Sequence, residues 1–338
     1  FYDTLGMEPS WGYRNKTQLP VRHDGEKVVV GMYQHKTNRL IYLDEYKIEN
    51  ALVQKAMKDI LDYLTKSNID VYNPRFRQGN LRYLVIRGFE ETGEVQVTFV
   101  LMYEEVRILN ILKKVIQFEN IKSVNYTINN DHKAIEIITG PVINLAGSEK
   151  ITGKLGDLVF NISPNAFFQL NTKQTTVLYN QVLKAGKFKG TEKILDLYCG
   201  IGSIGLFLSK HVQEVRGIDN NKDNIENARE FAKLNNIENS KFYWGEILPL
   251  LHKFQEEGYV PDVIVIDPPR IGMELSLLNY LQKAKVKKII YVSCNPSTLA
   301  KNVDHLQRSY EIKYIVPIDM FPNTPHVECV VLITRVKE

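Results

Sequence analysis

The sequence predicts an α/β protein: a parallel, doubly wound sheet in the second half, preceded by a smaller, strand-rich α+β domain. Three observations predict it. The chain has 338 residues, more than one hydrophobic core usually supports, so two domains are expected. From about Lys173 onward, short apolar strands alternate with helical patterns, the rhythm of a parallel sheet with crossovers. Before that point short strands dominate, separated by turn signals. The turn Asn144-Leu145-Ala146-Gly147 sets the expected boundary, giving domains 1–145 and 146–338.

The first domain is read in order. Strands are expected at 18–21, 27–33 and 40–43, with His23-Asp24-Gly25 and Lys36-Thr37-Asn38 supplying hairpin turns. Leu52, Ala56, Ile60, Leu61 and Leu64 recur at helical spacing and predict an amphipathic helix over 49–64. Strands at 81–87 and 95–100 follow, then a helix over 104–118 and strands at 124–128, 134–139 and 158–162. The second domain reads as helix 172–185, strand 193–197, a helix beginning over 205–210, strand 215–219 and helix 221–235. Strands at 263–267 and 288–293 come next, and a last strand follows Glu328.

Composition narrows the function classes. A hydrophobic share of 44% with 24% charged residues is that of a globular chain, not a disordered one. No apolar run approaches the roughly 18 residues of a membrane span, and no signal peptide is visible. The net charge of +4 permits a nucleic-acid partner without demanding one. Cys199, Cys294 and Cys329 are too few and too scattered for a disulfide framework or a metal cage, so a reducing cytoplasm and no metal site are expected. The chain opens on Phe1-Tyr2-Asp3 rather than on Met, and reads as a piece of a longer protein.

Asp196-Leu197-Tyr198-Cys199-Gly200-Ile201-Gly202-Ser203-Ile204-Gly205 follows a strand and opens a helix. Its glycines allow a tight turn and close approach of backbone to a ligand. Asp219 ends the next strand, where an acidic residue accepts hydrogen bonds from ribose hydroxyls. Gly200, Gly202 and Gly205 fit the dinucleotide fingerprint, so a nicotinamide dehydrogenase and a methyltransferase both satisfy the motif. Asp196 tips the reading, because a carboxylate beside the loop suits a cofactor with an ammonium group, which S-adenosylmethionine has and NAD lacks.

Two further strands end in reactive residues. Asp267-Pro268-Pro269-Arg270 is stiff and turns its carboxylate toward the crevice at the strand ends. Amino-group methyltransferases carry an aromatic residue after such a motif; Arg270 stands there instead. Ser293-Cys294-Asn295-Pro296 puts a thiol at the same edge of the sheet. A lone cysteine is more often a small buried hydrophobe, and Cys199 and Cys329 are read that way. Beside Asp267 and the glycine loop, Cys294 reads instead as a nucleophile. Glu328, after Pro325-His326-Val327, is the candidate general base, against the plain reading of a solvated loop carboxylate.

Together these motifs resemble the RNA uracil-5-methyltransferases, class I enzymes that use S-adenosylmethionine on a Rossmann-like sheet, and most of all the bacterial 23S ribosomal RNA members. The resemblance runs through Trp11-Gly12-Tyr13-Arg14-Asn15-Lys16, Ser163-Pro164-Asn165-Ala166-Phe167-Phe168-Gln169-Leu170-Asn171, 196–202, Asp267 to Arg270, Ser293 to Pro296 and His326-Val327-Glu328. It implies that Cys294 adds to carbon 6 of uracil, carbon 5 takes the methyl group, and Glu328 removes the carbon 5 proton so that the thiol can leave. By the same resemblance Gln169, Tyr198, Asp219 and Asp267 contact the cofactor, with Ser203 and Glu246 at matching positions, and Gln169 and Asp267 also lie near the target base. Asp219 stands where many members carry Glu, which keeps the hydrogen-bond chemistry. Members often carry an upstream barrel and an iron–sulfur cluster; the fourth cysteine's position holds Tyr46, so no cluster is expected in this chain.

RNA is the implied partner. Residues 11–40 carry Arg14, Lys16, Arg22, Lys27, Lys36 and Arg39 against Asp24 and Glu26. Arg75, Arg77, Arg82 and Arg87 follow, interleaved with Tyr72, Phe76 and Tyr83, a pattern that suits phosphate contacts and base stacking and equally a solvated strand face. Arg14 and Lys16 are the expected substrate contacts, and an unpaired uridine the expected target, because carbon 6 must be exposed. The expected assembly is a monomer. A transfer RNA enzyme of the same family, a nicotinamide oxidoreductase and a non-catalytic RNA-binding module are the competing readings.

Overall fold

The computed structural model describes residues 1–34, 37, 39–43, 45–284 and 286–336. Lys36 and Asn38, named above as a cation and turn residues, lie outside them. The chain divides into two compact units, one of residues 11–154 and 160–172, the other of 1–10, 155–159 and 173–338. The expected boundary after residue 145 therefore falls inside the first unit, and residues 1–10 fold with the second.

The first unit holds β1 (Lys16–Asp24), β2 (Lys27–Tyr33), β3 (Leu40–Tyr42), α1 (Ala51–Lys66), β4 (Leu81–Phe89), β5 (Glu94–Leu101), α2 (Val106–Lys113), β6 (Ile121–Ile128) and β7 (Ile143–Gly147). Its sheet runs β3-β2-β1-β4-β5-β6-β7, antiparallel throughout except for β5 and β6, which the α2 crossover makes parallel. Asn50 caps α1 by accepting from Val53 N at 2.8 Å, and its amide ties the cap to Gly88 O at 2.9 Å. Val53, Met57, Ile60 and Leu64 of α1, with Ile108 and Leu112 of α2, pack against Leu84, Ile86, Val97 and Phe99. Tyr46 is a core residue whose hydroxyl donates to Val30 O at 3.0 Å.

The expected strand at 134–139 does not form. Ile135 is 98% exposed there, and the Glu136 and Ile137 carbonyls accept from the Asn129 side chain rather than from a neighbouring strand. The strands β7, β8 (Ile151–Leu155) and β9 (Leu158–Ile162) are short, and of these only β9 is expected from the sequence.

The second unit carries α3 (Thr172–Gly186), β10 (Lys193–Leu197), α4 (Ser203–Leu208), β11 (Glu214–Asp219), α5 (Lys222–Leu234), β12 (Ser240–Trp244), α6 (Ile247–Glu256), β13 (Val263–Ile266), α7 (Leu275–Lys283), β14 (Lys288–Ser293), α8 (Pro296–Leu306), β15 (Tyr310–Ile318) and β16 (Glu328–Arg335). Its sheet order is β12-β11-β10-β13-β14-β16-β15. The first five strands are parallel, and β16 runs antiparallel to both neighbours. The order reverses between β10 and β13, and at such a switch point the connections diverge and leave a crevice at the strands' carboxyl ends. Residues 1–10 lie along β15, with Leu5 N donating to Pro317 O at 2.9 Å. Among the described residues no helix is long and apolar enough to cross a membrane.

Candidate active site

Every loop at the carboxyl end of the parallel strands contributes a candidate residue. After β10 the backbone takes left-handed conformations at Tyr198 (φ +59°), Gly200 (φ +53°) and Gly202 (φ +76°). At Gly202 a Cβ would also lie 2.6 Å from the Phe242 ring, so only glycine fits. Asp219 holds this loop from β11: its carboxylate accepts from Gly200 N at 2.9 Å, Asn221 N at 2.9 Å and Asn224 Nδ2 at 3.2 Å.

Beside the loop is a cavity of about 340 Å³ lined by Tyr198, Asp219, Asn220, Glu246, Glu274 and Leu277 among others. Three of the walls are carboxylates. Glu246 stands there as expected; Glu274 and Asn220 carry no motif by which sequence reasoning could have found them. Asp196 is elsewhere. It is 1% exposed beneath the loop, accepts from Gly205 N at 3.0 Å, and leaves its other oxygen without a hydrogen bond. Burial pushes its carboxyl up to about 7, against the Gly205 hydrogen bond and with a smaller push from Asp219. The Ser203 hydroxyl is bonded to the buried Tyr179 hydroxyl at 2.7 Å, away from the cavity walls.

The second cluster sits where β13, β14 and β16 meet. Ser293 of β14 pairs with Cys329 of β16 in antiparallel register, so the next positions, Cys294 and Glu328, stand across from one another. Asn295 caps α8, accepting from Ser297 N at 3.1 Å, and Pro296 begins the helix, so the cysteine is fixed between a strand end and a helix start. Asn302 of α8 accepts from Tyr291 Oη at 2.8 Å and Met273 N at 2.9 Å, which ties the loop after Arg270 to the same helix.

Acids crowd this cluster. Burial raises the Cys294 thiol above its ordinary range, Glu328 and Asp267 raise it further, and Arg270 opposes them. Glu328, 8% exposed, is pushed up to about 7 by burial against Arg270. Asp267 is raised well above the carboxylate range by burial, then by Glu328 and Asp196. The structure thus brings together Cys294, Glu328 and Asp267. Cys199 and Cys329 are buried core residues.

Gln169, Arg14 and Lys16 belong to the other unit. Phe168 is buried against Phe89 and Phe160, while the Gln169 carbonyl accepts from Asn15 Nδ2 at 2.8 Å. Arg14 donates from Nε to Lys16 O at 2.8 Å, with Glu49 at 3.9 Å. The Lys16 amine is pushed down to about 7 by burial, then by Arg87 and Arg14. Arg75 and Arg77 are exposed, as the RNA reading requires. Arg82 and Arg87 are buried and spend their guanidiniums on backbone carbonyls of Asn129 and Asp131, and of Ser163 and Ala166. They offer no charge to a phosphate at the surface. Among the described residues no three metal-ligating side chains gather.

An uncharacterised RNA methyltransferase of Bacillus cereus is 43% identical over 336 residues, covering 98% of this chain and 72% of that one. One from Halalkalibacterium halodurans is 41% identical over 334 residues, again with 98% and 72% covered. The crystal structure of Pyrococcus abyssi tRNA (uracil-54, C5)-methyltransferase with S-adenosyl-L-homocysteine superposes with a TM-score of 0.81 at 28% identity, over 98% of this chain and 78% of that one. The family model of the tRNA (uracil-5-)-methyltransferases matches residues 7–244 and 248–336, and the chain belongs to that family.

Proposed function

We propose that this chain methylates carbon 5 of a uridine in 23S ribosomal RNA from S-adenosylmethionine, with Cys294 as nucleophile and Glu328 as base. The observation that carries the reading is the register that sets Cys294 opposite Glu328, with Asp267 beside them, at the crevice edge of the sheet that also holds the glycine loop. Membership of the family sets aside the nicotinamide reading that the glycine fingerprint left open.

The cavity residues fit the cofactor. Its volume is in the range of small-molecule sites. Asp219 suits ribose hydroxyls, and the carboxylates of Glu246 and Glu274 suit a ligand carrying positive charge. Tyr198 supplies a flat wall, and Asp196 supports the loop from below. When bound, S-adenosylmethionine would supply an electrophilic methyl group, the electrons of the broken methyl–sulfur bond staying on sulfur as a neutral thioether. The Cys294 thiolate forms a bond to carbon 6, and the electron pair displaced from the 5,6 double bond makes carbon 5 nucleophilic. Once carbon 5 carries the methyl group, Glu328 takes its proton, the 5,6 double bond returns and the sulfur–carbon bond breaks, releasing the thiolate.

Exposed Arg75, Arg77 and Phe76, with Arg14 and Lys16, are the proposed RNA contacts. A transfer RNA uridine is the second reading, favoured by the name of the Pyrococcus neighbour. Mapping 5-methyluridine in ribosomal and transfer RNA of a strain lacking the gene tests both. Loss of the base from 23S RNA alone supports the first, and loss from transfer RNA alone replaces it with the second.

A further inference from the structure

Arg270 is tied to both halves of the reactive cluster. Its carbonyl accepts from Asn295 Nδ2 at 2.9 Å and Thr298 Oγ1 at 3.2 Å, so the start of α8, directly after Cys294, grips its backbone. Its guanidinium reaches the other way, with Nη2 3.4 Å from His326 Nδ1 in the loop that leads into Glu328. Among the described residues it makes no ion pair. The groups that bear on Cys294 are Glu328 of β16, Asp267 at the end of β13, Tyr291 of β14 and Arg270. Glu328 and Asp267 are carboxyl groups whose negative charge, when ionised, opposes a thiolate; the Tyr291 hydroxyl is raised by burial and stays neutral; Arg270 is the cation among them.

We infer that Arg270 sets the ionisation of Cys294: held by its backbone against the helix start that follows the nucleophile, and reaching the loop that leads into Glu328, it brings a positive charge to a sulfur that two carboxyl groups also approach. Cysteine reacts as the thiolate, and an adjacent arginine is one of the few features that favour it. Arg270 acts through Cys294 and is a positioning residue. The grip on its carbonyl does not depend on its side chain, so the charge can be removed while the loop stays tied.

The inference rests on Cys294 being the nucleophile, and its test needs neither RNA nor cofactor. The whole chain is alkylated with iodoacetamide between pH 6 and 10, and the Cys294 peptide is followed by mass spectrometry. Buried Cys199 and Cys329 report folding by staying unlabelled. Arg270→Met should raise the midpoint of the rate by about half to one pH unit, hence slow alkylation at pH 8 roughly three- to tenfold. Arg270→Gln, a second neutral variant that can still donate to His326, should do the same, and Arg270→Lys should follow the unaltered protein. If a neutral variant exposes Cys199 or Cys329, the other decides. Overlapping profiles for neutral and unaltered chains overturn the inference; so does a lysine variant displaced as far as methionine, which assigns the effect to shape. Cys294→Ser that still transfers methyl groups would instead remove the reading beneath it, whatever the alkylation shows.

Discussion

Cys294 and Glu328 occupy facing positions one step beyond the last paired residues, Ser293 and Cys329, of an antiparallel strand pair. Neither is on a long mobile loop: Cys294 is followed at once by the cap of α8, and Glu328 begins β16. Under the proposed function, two groups so fixed would serve two steps of one reaction, attack at carbon 6 and proton removal at carbon 5. Glu328→Gln keeps the size and lacks the basicity. It should stall with Cys294 bonded to a methylated uridine, giving an RNA–protein adduct that survives denaturing electrophoresis and carries label from methyl-labelled cofactor. Adding Cys294→Ala should remove the adduct. Normal turnover of the Gln variant would exclude Glu328 as the base; inactivity without adduct would give it an earlier role.

The same two groups set the pH dependence. Glu328 is raised to about 7, so its basic form is lost as pH falls through 7. The Cys294 thiol is raised as well, so the thiolate keeps increasing above neutrality. Both requirements point the same way. kcat/KM, which reports the free enzyme, should rise from pH 6 through pH 8 without levelling at 7, by about tenfold or more across that span. A bell centred near pH 6.5 would count against both assignments.

Asp219 should matter twice to the cofactor. It faces the cavity and also anchors Gly200 N, Asn221 N and Asn224. Asp219→Ala should therefore weaken S-adenosylmethionine binding by at least the roughly 1.5–3 kcal/mol of a hydrogen bond to a charged group. Cys294→Ala should leave that affinity nearly intact, because the thiol serves the chemical step. Calorimetry on both variants checks the contrast, and equal losses would contradict it.

Much of this site was legible because strand ends in a parallel sheet concentrate function. The patterns around Asp196, Asp219, Asp267 and Cys294 each pair an apolar run with a polar terminus, and that pairing survives in one dimension. Roles set by long-range packing did not. Asp196 suited an ammonium partner by sequence, yet it lies under the loop bonded to Gly205. Glu274 and Asn302 have no local signature, because each is defined by what α7 and α8 fold against. Arg82 and Arg87 looked like surface cations until the sheet buried them against carbonyls. The apolar run at 134–139 reads as a strand, but among the described residues no strand pairs with it, and the Glu136 and Ile137 carbonyls accept from Asn129 instead.

Asp196 makes a stability prediction whose sign follows from its burial. Its carboxyl stands at about 7 in the folded chain, against 3.8 ordinarily. Below about pH 4 it is protonated in both states and the fold bears no charge penalty. Between 4 and 7 the unfolded chain releases the proton while the folded chain keeps it, so stability falls as pH rises through this window. Above 7 both states are ionised, and the loss is complete and constant. Asp196→Asn mimics the neutral form, and its oxygen can still accept from Gly205 N. Whatever fixed cost the amide brings is the same at every pH. The difference in unfolding free energy, variant minus unaltered chain, should therefore grow by about 2–3 kcal/mol between pH 5 and pH 8. Urea titrations at the two pH values measure it directly. Parallel stabilities across the range would mean that Asp196 titrates normally, and that its unpartnered oxygen reaches water or a partner in solution.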